Sequence, residues 1–453
     1  MASAAKKEAK IWVKAIVDKV KEKVVYVEAD HTFVDILFSF ITLPIGTVIR
    51  LLKNNEADHE LMQPLRSLKN LYQSLVDFPE CFLATEECKH LLLNPRSISY
   101  DHCTKLKIKL DDTEPLNYFT CASCAISSFF FVSTCSKAKC WKCGNLMSRE
   151  VGYNKADVSS GGDGVFVSDI ANFIVTDELC VMPYTSANSI HLLSKHGISD
   201  KSSLENIKLH MDCEQMLNLL RVALSFGSVF SYIVFHRKNL FLLPSYRLGQ
   251  TDLMKKEQVL TSKIHLEVYM QTSTRKVLFA EAKEDFVDFL FGFLSIPLGT
   301  VIGKLLSEAS FSGCIVNVFK SISKMSVGRY IKSQDIKDML LKPHIGQQFS
   351  SKHQMFSLKG TPSHYEFLEL KSSMIIGGLL KQSGMFIVTE ELIITPASSC
   401  STLDTLNDFK VSFKDVEKHE ISIGLTEGLK ILKASLSSRS ILTDSLEHLL
   451  KKK

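Results

Sequence analysis

Cys121-Ala-Ser-Cys124 and Cys140-Trp-Lys-Cys143 are the residues whose type and spacing point most directly to chemistry. Two residues between cysteines let one tight turn aim both sulfurs at a single ion. A second such turn completes a tetrahedron with Zn–S distances of about 2.3 Å. The two pairs stand 15 residues apart, and C-x2-C-x15-C-x2-C is the spacing of a four-thiolate zinc site. Gly144, directly after the second pair, suits a backbone that curls its N–H groups toward sulfur. Four sulfurs fill the coordination sphere and leave no place for an activated water, so a structural zinc ion is expected. Four thiolates around Zn2+ carry a double negative charge, which Lys137, Lys139, Lys142 and Arg149 lie near enough in the chain to offset. Cys135 is a spare that could replace Cys140, at a less common C-x4-C spacing. The competing readings are free core thiols and a redox C-x-x-C pair; the latter needs a thioredoxin-like context that the chain does not display.

Other residues carry weaker signals. Trp141 lies between Lys139 and Lys142 on the second knuckle. It could stack on a nucleic-acid base, enter a protein partner, or pack on its own ribbon. GTVIGKL (Gly299–Leu305) has three residues between its glycines and Leu after Lys304, so it lacks the spacing and the hydroxyl of a phosphate loop. Gly161-Gly162-Asp163-Gly164 reads as a turn before a strand. Glu28 with Asp35, and Glu281 with Asp288, recur as possible acid–base pairs, but a strand end and a helix first turn give them a sufficient structural cause. His191 and His196 are five apart and share no helical face. No G-x-S-x-G elbow occurs.

The elements that must position these groups form a repeating pattern. Val24–Leu52 and Val277–Leu305 match at about half of their positions. LLLNP (Leu91–Pro95) then matches MLLKP (Met339–Pro343), FIVTDELCVMP (Phe173–Pro183) matches FIVTEELIITP (Phe386–Pro396), and LLRVALS (Leu219–Ser225) matches ILKASLS (Ile431–Ser437). The offset between copies drops by about 35 residues after Pro95, which locates an insertion in the first copy, and the cysteine pairs fall in it. The expected organisation is a first unit over residues 1–250 with a zinc-ribbon-like insertion at about 115–150, a linker at 251–260, and a second unit over 261–453. Each unit is long enough to bury a core of its own, and pseudo-two-fold packing is expected by analogy with symmetric assembly. The insertion cannot bury much core, so metal would supply its stability.

Within each unit a hairpin is expected first, over Lys10–Val17 and Val24–Ala29, and over Ile264–Met270 and Val277–Ala282. A helix follows with Thr32 or Asp285 at its N-cap and Asp35 or Asp288 in its first turn, and Pro44 or Pro297 stops it. Later helices should start near Asn188 and Ser401, with Ser401 and Asp404 as a capping pair. Amphipathic helix is expected over Leu217–Leu224 and Leu429–Leu436. SSFFFVST (Ser127–Thr134) should run as a β-ribbon. The fold class is α+β, two tandem related domains with a small zinc-ribbon-like β insertion in the first.

The signature EA-x3-FVD-x-LF-x-F-x3-P-x-GTVI (Glu28–Ile49 and Glu281–Ile302) with FIVT-[DE]-EL (Phe173–Leu179 and Phe386–Leu392) resembles domain-of-unknown-function family 674, a plant family, over nearly the whole chain. The resemblance implies a plant origin and a fold but no reaction. Members carry a similar Cys-rich element, whose second knuckle often reads Cys-Pro-x-Cys-Gly. Here Trp141 stands at the Pro position, and both sulfurs remain.

The chain has 453 residues, 45% hydrophobic and 23% charged, which excludes disordered, collagen-like and coiled-coil classes. A net charge of +5 gives no electrostatic footprint for nucleic acid or membrane. No uninterrupted apolar stretch follows the basic start, so the twelve cysteines read as reduced thiols and a cytoplasmic or nuclear location is expected. Ile36–Ile49 and Phe289–Gly303 are uncharged but shorter than the roughly 18–20 residues a spanning helix needs, so no stable membrane insertion is expected. The function these features favour is a non-enzymatic protein-interaction scaffold with a protein partner. A zinc-ribbon nucleic-acid binder and an enzyme with a cleft between the repeats are the alternatives.

Overall fold

Ile11, Val13, Ala15 and Val17 alternate with Trp12, Lys14 and Ile16, so an extended run buries the first set on one side and turns the second to the other. The computed structural model describes residues 9–53, 65–84, 86–97, 99–113, 117–124, 130–133, 136, 139–140, 142–151, 164–169, 171–235, 263–306, 313–346, 349, 351, 353–356, 358, 365–367, 378–381 and 384–450. The first half holds β1 (Ile11–Asp18), β2 (Lys23–Ala29), β3 (Tyr118–Thr120), β4 (Phe130–Val132), β5 (Arg149–Val151), β6 (Phe173–Thr176), β7 (Val181–Pro183) and β8 (Leu204–Met211). The second holds β9 (Ile264–Gln271), β10 (Val277–Lys283), β11 (Tyr365–Phe367), β12 (Met385–Thr389), β13 (Ile394–Pro396) and β14 (Val416–Ile423). Two five-stranded antiparallel sheets result, in the orders β7-β6-β2-β1-β8 and β13-β12-β10-β9-β14. The class is thus mixed α and β with several sheets. Both expected hairpins form within a residue of their expected bounds. β8 and β14 are edge strands that the sequence reading did not anticipate.

Helices His31–Ser39 and Glu284–Gly292 cover the inner faces of the sheets. Their N-caps are Asp30, which accepts from the Phe33 N–H, and Lys283, rather than the expected Thr32 and Asp285. Asp35 and Asp288 therefore stand mid-helix and buried, too far along to serve the positive helix end. Helices Ser186–Lys195 and Ser399–Asp408 begin two residues before Asn188 and Ser401, capped by Thr185 and Ser398. The capping box pairs Ser398 with Ser401, not Ser401 with Asp404, because Ser398 holds the extended backbone that a cap requires. Cys213–Ser225 and Leu425–Ser435 are the expected amphipathic helices, somewhat longer.

One continuous apolar cluster runs through both halves, from Ile11 and Phe33 to Phe286 and Leu450. Leu43–Ile45 and Ile296–Leu298 meet at Pro44 and Pro297: Ile45 N–H donates to Ile296 O at 3.0 Å, and Leu298 N–H donates to Leu43 O at 3.0 Å. A Cβ on Gly46 would stand 3.0 Å from Leu294 O, and one on Gly299 only 2.4 Å from Ile41 Cγ2. Glycine there lets the two backbones touch.

The halves also exchange helices. Helix Arg66–Asp77 docks on the second sheet, where Ser74 Oγ accepts from Ile394 N–H at 2.9 Å and Asn70 donates to Glu391 O at 3.1 Å. Helix Ile315–Lys324 docks on the first sheet through the matching atoms: Ser321 Oγ accepts from Val181 N–H at 2.9 Å, and Asn317 donates to Glu178 O at 2.8 Å. Bridges Leu83–Leu380 and Val167–Ile331 repeat the exchange. Residues 251–260, the expected linker, lie outside the described residues.

Candidate metal centre

β3 and β5 pair antiparallel and set the base of the cysteine region, while Phe119 and Ser133 exchange two backbone hydrogen bonds of 2.8 Å that lash β4 beside them. Cys121 follows β3 directly. The first turn closes with Cys124 N–H on Cys121 O at 3.3 Å. The second closes with Gly144 N–H on Cys140 O at 2.8 Å and Cys140 N–H on Asn145 O at 2.7 Å. Gly144 sits at φ +76°, where a side chain would strain the turn. Asn145 Nδ2 donates to Ser123 Oγ at 3.1 Å and ties one turn to the other. Met147, fully buried, and Phe119 pack beneath the sulfurs.

The four sulfurs of Cys121, Cys124, Cys140 and Cys143 lie within 4.8 Å of one another, with Cys121 and Cys143 at 3.4 Å. A tetrahedron with metal–sulfur distances near 2.3 Å has edges of about 3.8 Å, so this spread suits one ion. All four thiols are free of disulfides. Cys121 and Cys140 are buried, Cys124 is half-buried and Cys143 exposed. Burial raises the Cys121 thiol, but hydrogen bonds from Cys143 and from the Ser123 and Cys124 N–H groups outweigh it and bring it down to about 7. Contact with Cys143 pushes Cys124 up to about 12. Asn145 N–H turns toward Cys143 sulfur in the same way. Several thiolates at this separation need a cation, and the set could hold a metal ion.

β4 of the insertion pairs in parallel with β11, so Phe130–Val132 is joined to Tyr365–Phe367 of the second half. No periodic pattern marks those three residues, and the pairing was not legible in the sequence. Lys139, Lys142 and Arg149 flank the cluster and are exposed. Cys135, Lys137, Trp141 and Gly161–Asp163 lie outside the described residues, as does part of Ser127–Thr134.

The recurring carboxylates do not converge on a common site. Glu28 lies on the outer sheet face, paired with Lys14 at 3.2 Å, while Asp35 is buried beneath the inner face and accepts the Val165, Phe166 and Val167 N–H groups at 2.6, 2.8 and 2.9 Å. Burial raises the Asp35 carboxyl despite those donors. Asp288 likewise receives Leu379 N–H at 3.1 Å and the Ser351 hydroxyl. The turns after the two FIVT strands, Thr176-Asp177-Glu178 and Thr389-Glu390-Glu391, each hold a further buried acid. Asp177 accepts from Ser231 N–H and Oγ, and Glu390 accepts from Thr443 N–H and Oγ1, each at the start of a helix. Burial pushes Asp177 up to about 6 and Glu390 up to about 8. The Thr47 and Thr300 hydroxyls donate to Pro95 O and Pro343 O. The repeated motifs thus have buried structural work. His191 is exposed on helix Ser186–Lys195, and His196 follows as its C-cap. Among the described residues, no helix is long and apolar enough to cross a membrane.

No curated protein and no solved structure matches the chain. A family model described as "protein of unknown function (DUF674)" matches residues 7–426, so the signature motifs, the paired sheets and the cysteine centre are those of a chain that belongs to that family.

Proposed function

We propose that Cys121, Cys124, Cys140 and Cys143 hold one structural zinc ion and that the chain acts as a non-catalytic protein-interaction scaffold. The carrying observation is the convergence of four sulfurs within 4.8 Å, with backbone N–H groups turned toward them. An all-thiolate set favours zinc or an iron–sulfur centre over hard cations, and a full sulfur shell leaves no open position for substrate. Asp35, Asp177 and Glu390 are occupied by buried hydrogen bonds, which favours scaffold over enzyme. The contact at Pro44 and Pro297 is close and backbone to backbone, which weighs against a cleft at that point. The repeat organisation, 1–250 and 261–453 joined by 251–260, is part of the same reading. It is supported by matched sheets and by hydrogen bonds that recur at equivalent positions.

Elemental analysis of the purified chain tests the centre. About one zinc per chain is expected, lost in the Cys124→Ser/Cys140→Ser variant. Iron in its place, or zinc retained by the variant, would overturn the proposal. Affinity capture with and without residues 115–150 then asks whether the insertion holds a protein partner. The exposed Lys139, Lys142 and Arg149 favour a second reading, nucleic-acid binding. It requires salt-dependent affinity and fails if no binding is seen at low salt.

A further inference from the structure

The outer face of the first sheet is only half covered. Helix Ser186–Lys195 packs Leu192 over Ile16, Tyr26 and Ile174. Among the described residues nothing covers the other half of the face, a trough of about 730 Å³ lined from β1, β2, β6 and β8 and by Tyr184 just beyond β7. Trp12 projects into it at 62% exposure, with Tyr184 at the far side at 46%. Such a volume falls within the roughly 300–1,000 Å³ of small-molecule sites.

The row of charges across β8, β1 and β2 is unbalanced. Lys208, Lys14 and Glu28 form one cross-strand row, Lys14 lying directly opposite both. Like charges directly opposite one another destabilise a sheet. Glu28 neutralises Lys14 at 3.2 Å, and Lys208 has no ion-pair partner among the described residues. Asp30 adds a carboxylate at the edge of the trough, outside that row, where it faces the positive end of the helix and accepts Phe33 N–H at 3.0 Å. His210 stands beside Trp12 with ring centroids 5.2 Å apart.

The second sheet serves as an internal control. Its equivalent trough, about 470 Å³, has His265 in the place of Trp12, Glu267 in the place of Lys14 and Glu420 in the place of Lys208. There three carboxylates share the row, Glu420, Glu267 and Glu281; Lys418 bridges Glu267 at 2.8 Å and Glu420 at 3.4 Å, and the Tyr269 hydroxyl donates to Glu281 at 3.3 Å. His265 is hydrogen-bonded to Ser422 at 2.7 Å. The same strand order therefore stands without exposed Trp and without an uncompensated cation, so the fold does not require them.

We propose that the first trough binds a small organic anion carrying a flat unsaturated ring, the ring against Trp12 and the carboxylate or phosphate on Lys208 and Lys14. One anionic group balances the one excess positive charge of the row, and an exposed indole face supplies stacking.

Calorimetric titration of the full chain tests this with 2-naphthoate for the carboxylate, adenosine 5′-monophosphate for the phosphate and 2-naphthylmethanol as the neutral analogue. One of the two anions should bind saturably, and the neutral compound at least about tenfold more weakly. Trp12→Ala and Lys208→Gln should each weaken the anion by about tenfold or more, and Glu420→Gln in the second trough should not change it. In the Trp141→Phe chain, where Trp12 is the sole tryptophan, the anion should quench or shift the fluorescence. The proposal is overturned if neither anion saturates at millimolar concentration, or if binding persists unchanged in both Trp12→Ala and Lys208→Gln.

Discussion

Glu390 offers a quantitative test of how the buried acids act. Its side chain is 8% exposed, and its carboxylate accepts Thr443 N–H at 3.1 and 3.2 Å and the Thr443 hydroxyl at 3.2 Å. Burial pushes its carboxyl from 4.5 up to about 8. Between those values the folded chain retains a proton that the unfolded chain has released, so stability falls as pH rises through the window. One proton gives a slope of about 1.4 kcal/mol per pH unit, which amounts to about 2.5 kcal/mol between about pH 5.5 and pH 7.5. Glu390→Gln keeps an acceptor for Thr443 and removes the titration. Urea unfolding of both chains at the two pH values isolates this contribution, because every other titratable group is common to both. The variant should gain about 2.5 kcal/mol relative to wild type on going to the higher pH. A difference that stays constant within about 0.5 kcal/mol would refute the inference that burial keeps this carboxyl protonated.

Asp35→Ala should cost about 3 kcal/mol or more, since it strands three buried N–H groups, and hydrogen exchange should show Val165–Val167 losing protection first. Gly299→Ala should cost about 1–3 kcal/mol in urea unfolding, because its Cβ meets Ile41 and Leu340 O at the contact between halves. Ser74→Ala and Ser321→Ala should destabilise by similar amounts, about 1–3 kcal/mol each, since each leaves one buried strand N–H unpaired; unequal losses would mean the two exchanged helices are not equivalent. Chelation should release exchange protection at Phe119 and Ser133 while leaving β1 and β2 protected, as read by mass spectrometry.

Local pattern carried much of this molecule. The alternation in Ile11–Asp18 and Ile264–Gln271 specified strands, because a period of two has one way to bury its apolar set. The cysteine spacing picked out four sulfurs that come together, because each C-x2-C turn is closed by its own backbone. Cap positions shifted by two or three residues, since several short polar side chains compete to end each loop and backbone geometry selects among them. The repeated acids were visible as repeats, yet their donors lie far along the chain, as Asp35 with Val165–Val167 and Glu390 with Thr443 show.

Residue type and spacing alone determined the hairpins, the four-sulfur cluster and, among the described residues, the lack of a helix long and apolar enough to span a bilayer. Tertiary structure alone decided that the halves share one core, trade the helices Arg66–Asp77 and Ile315–Lys324, and pair β4 with β11. It also left Trp12 and Lys208 open on one sheet face. The division follows from range. A turn or an alternation is encoded in neighbouring residues, whereas the apolar face of a helix records only that it must be buried, and not which sheet will cover it.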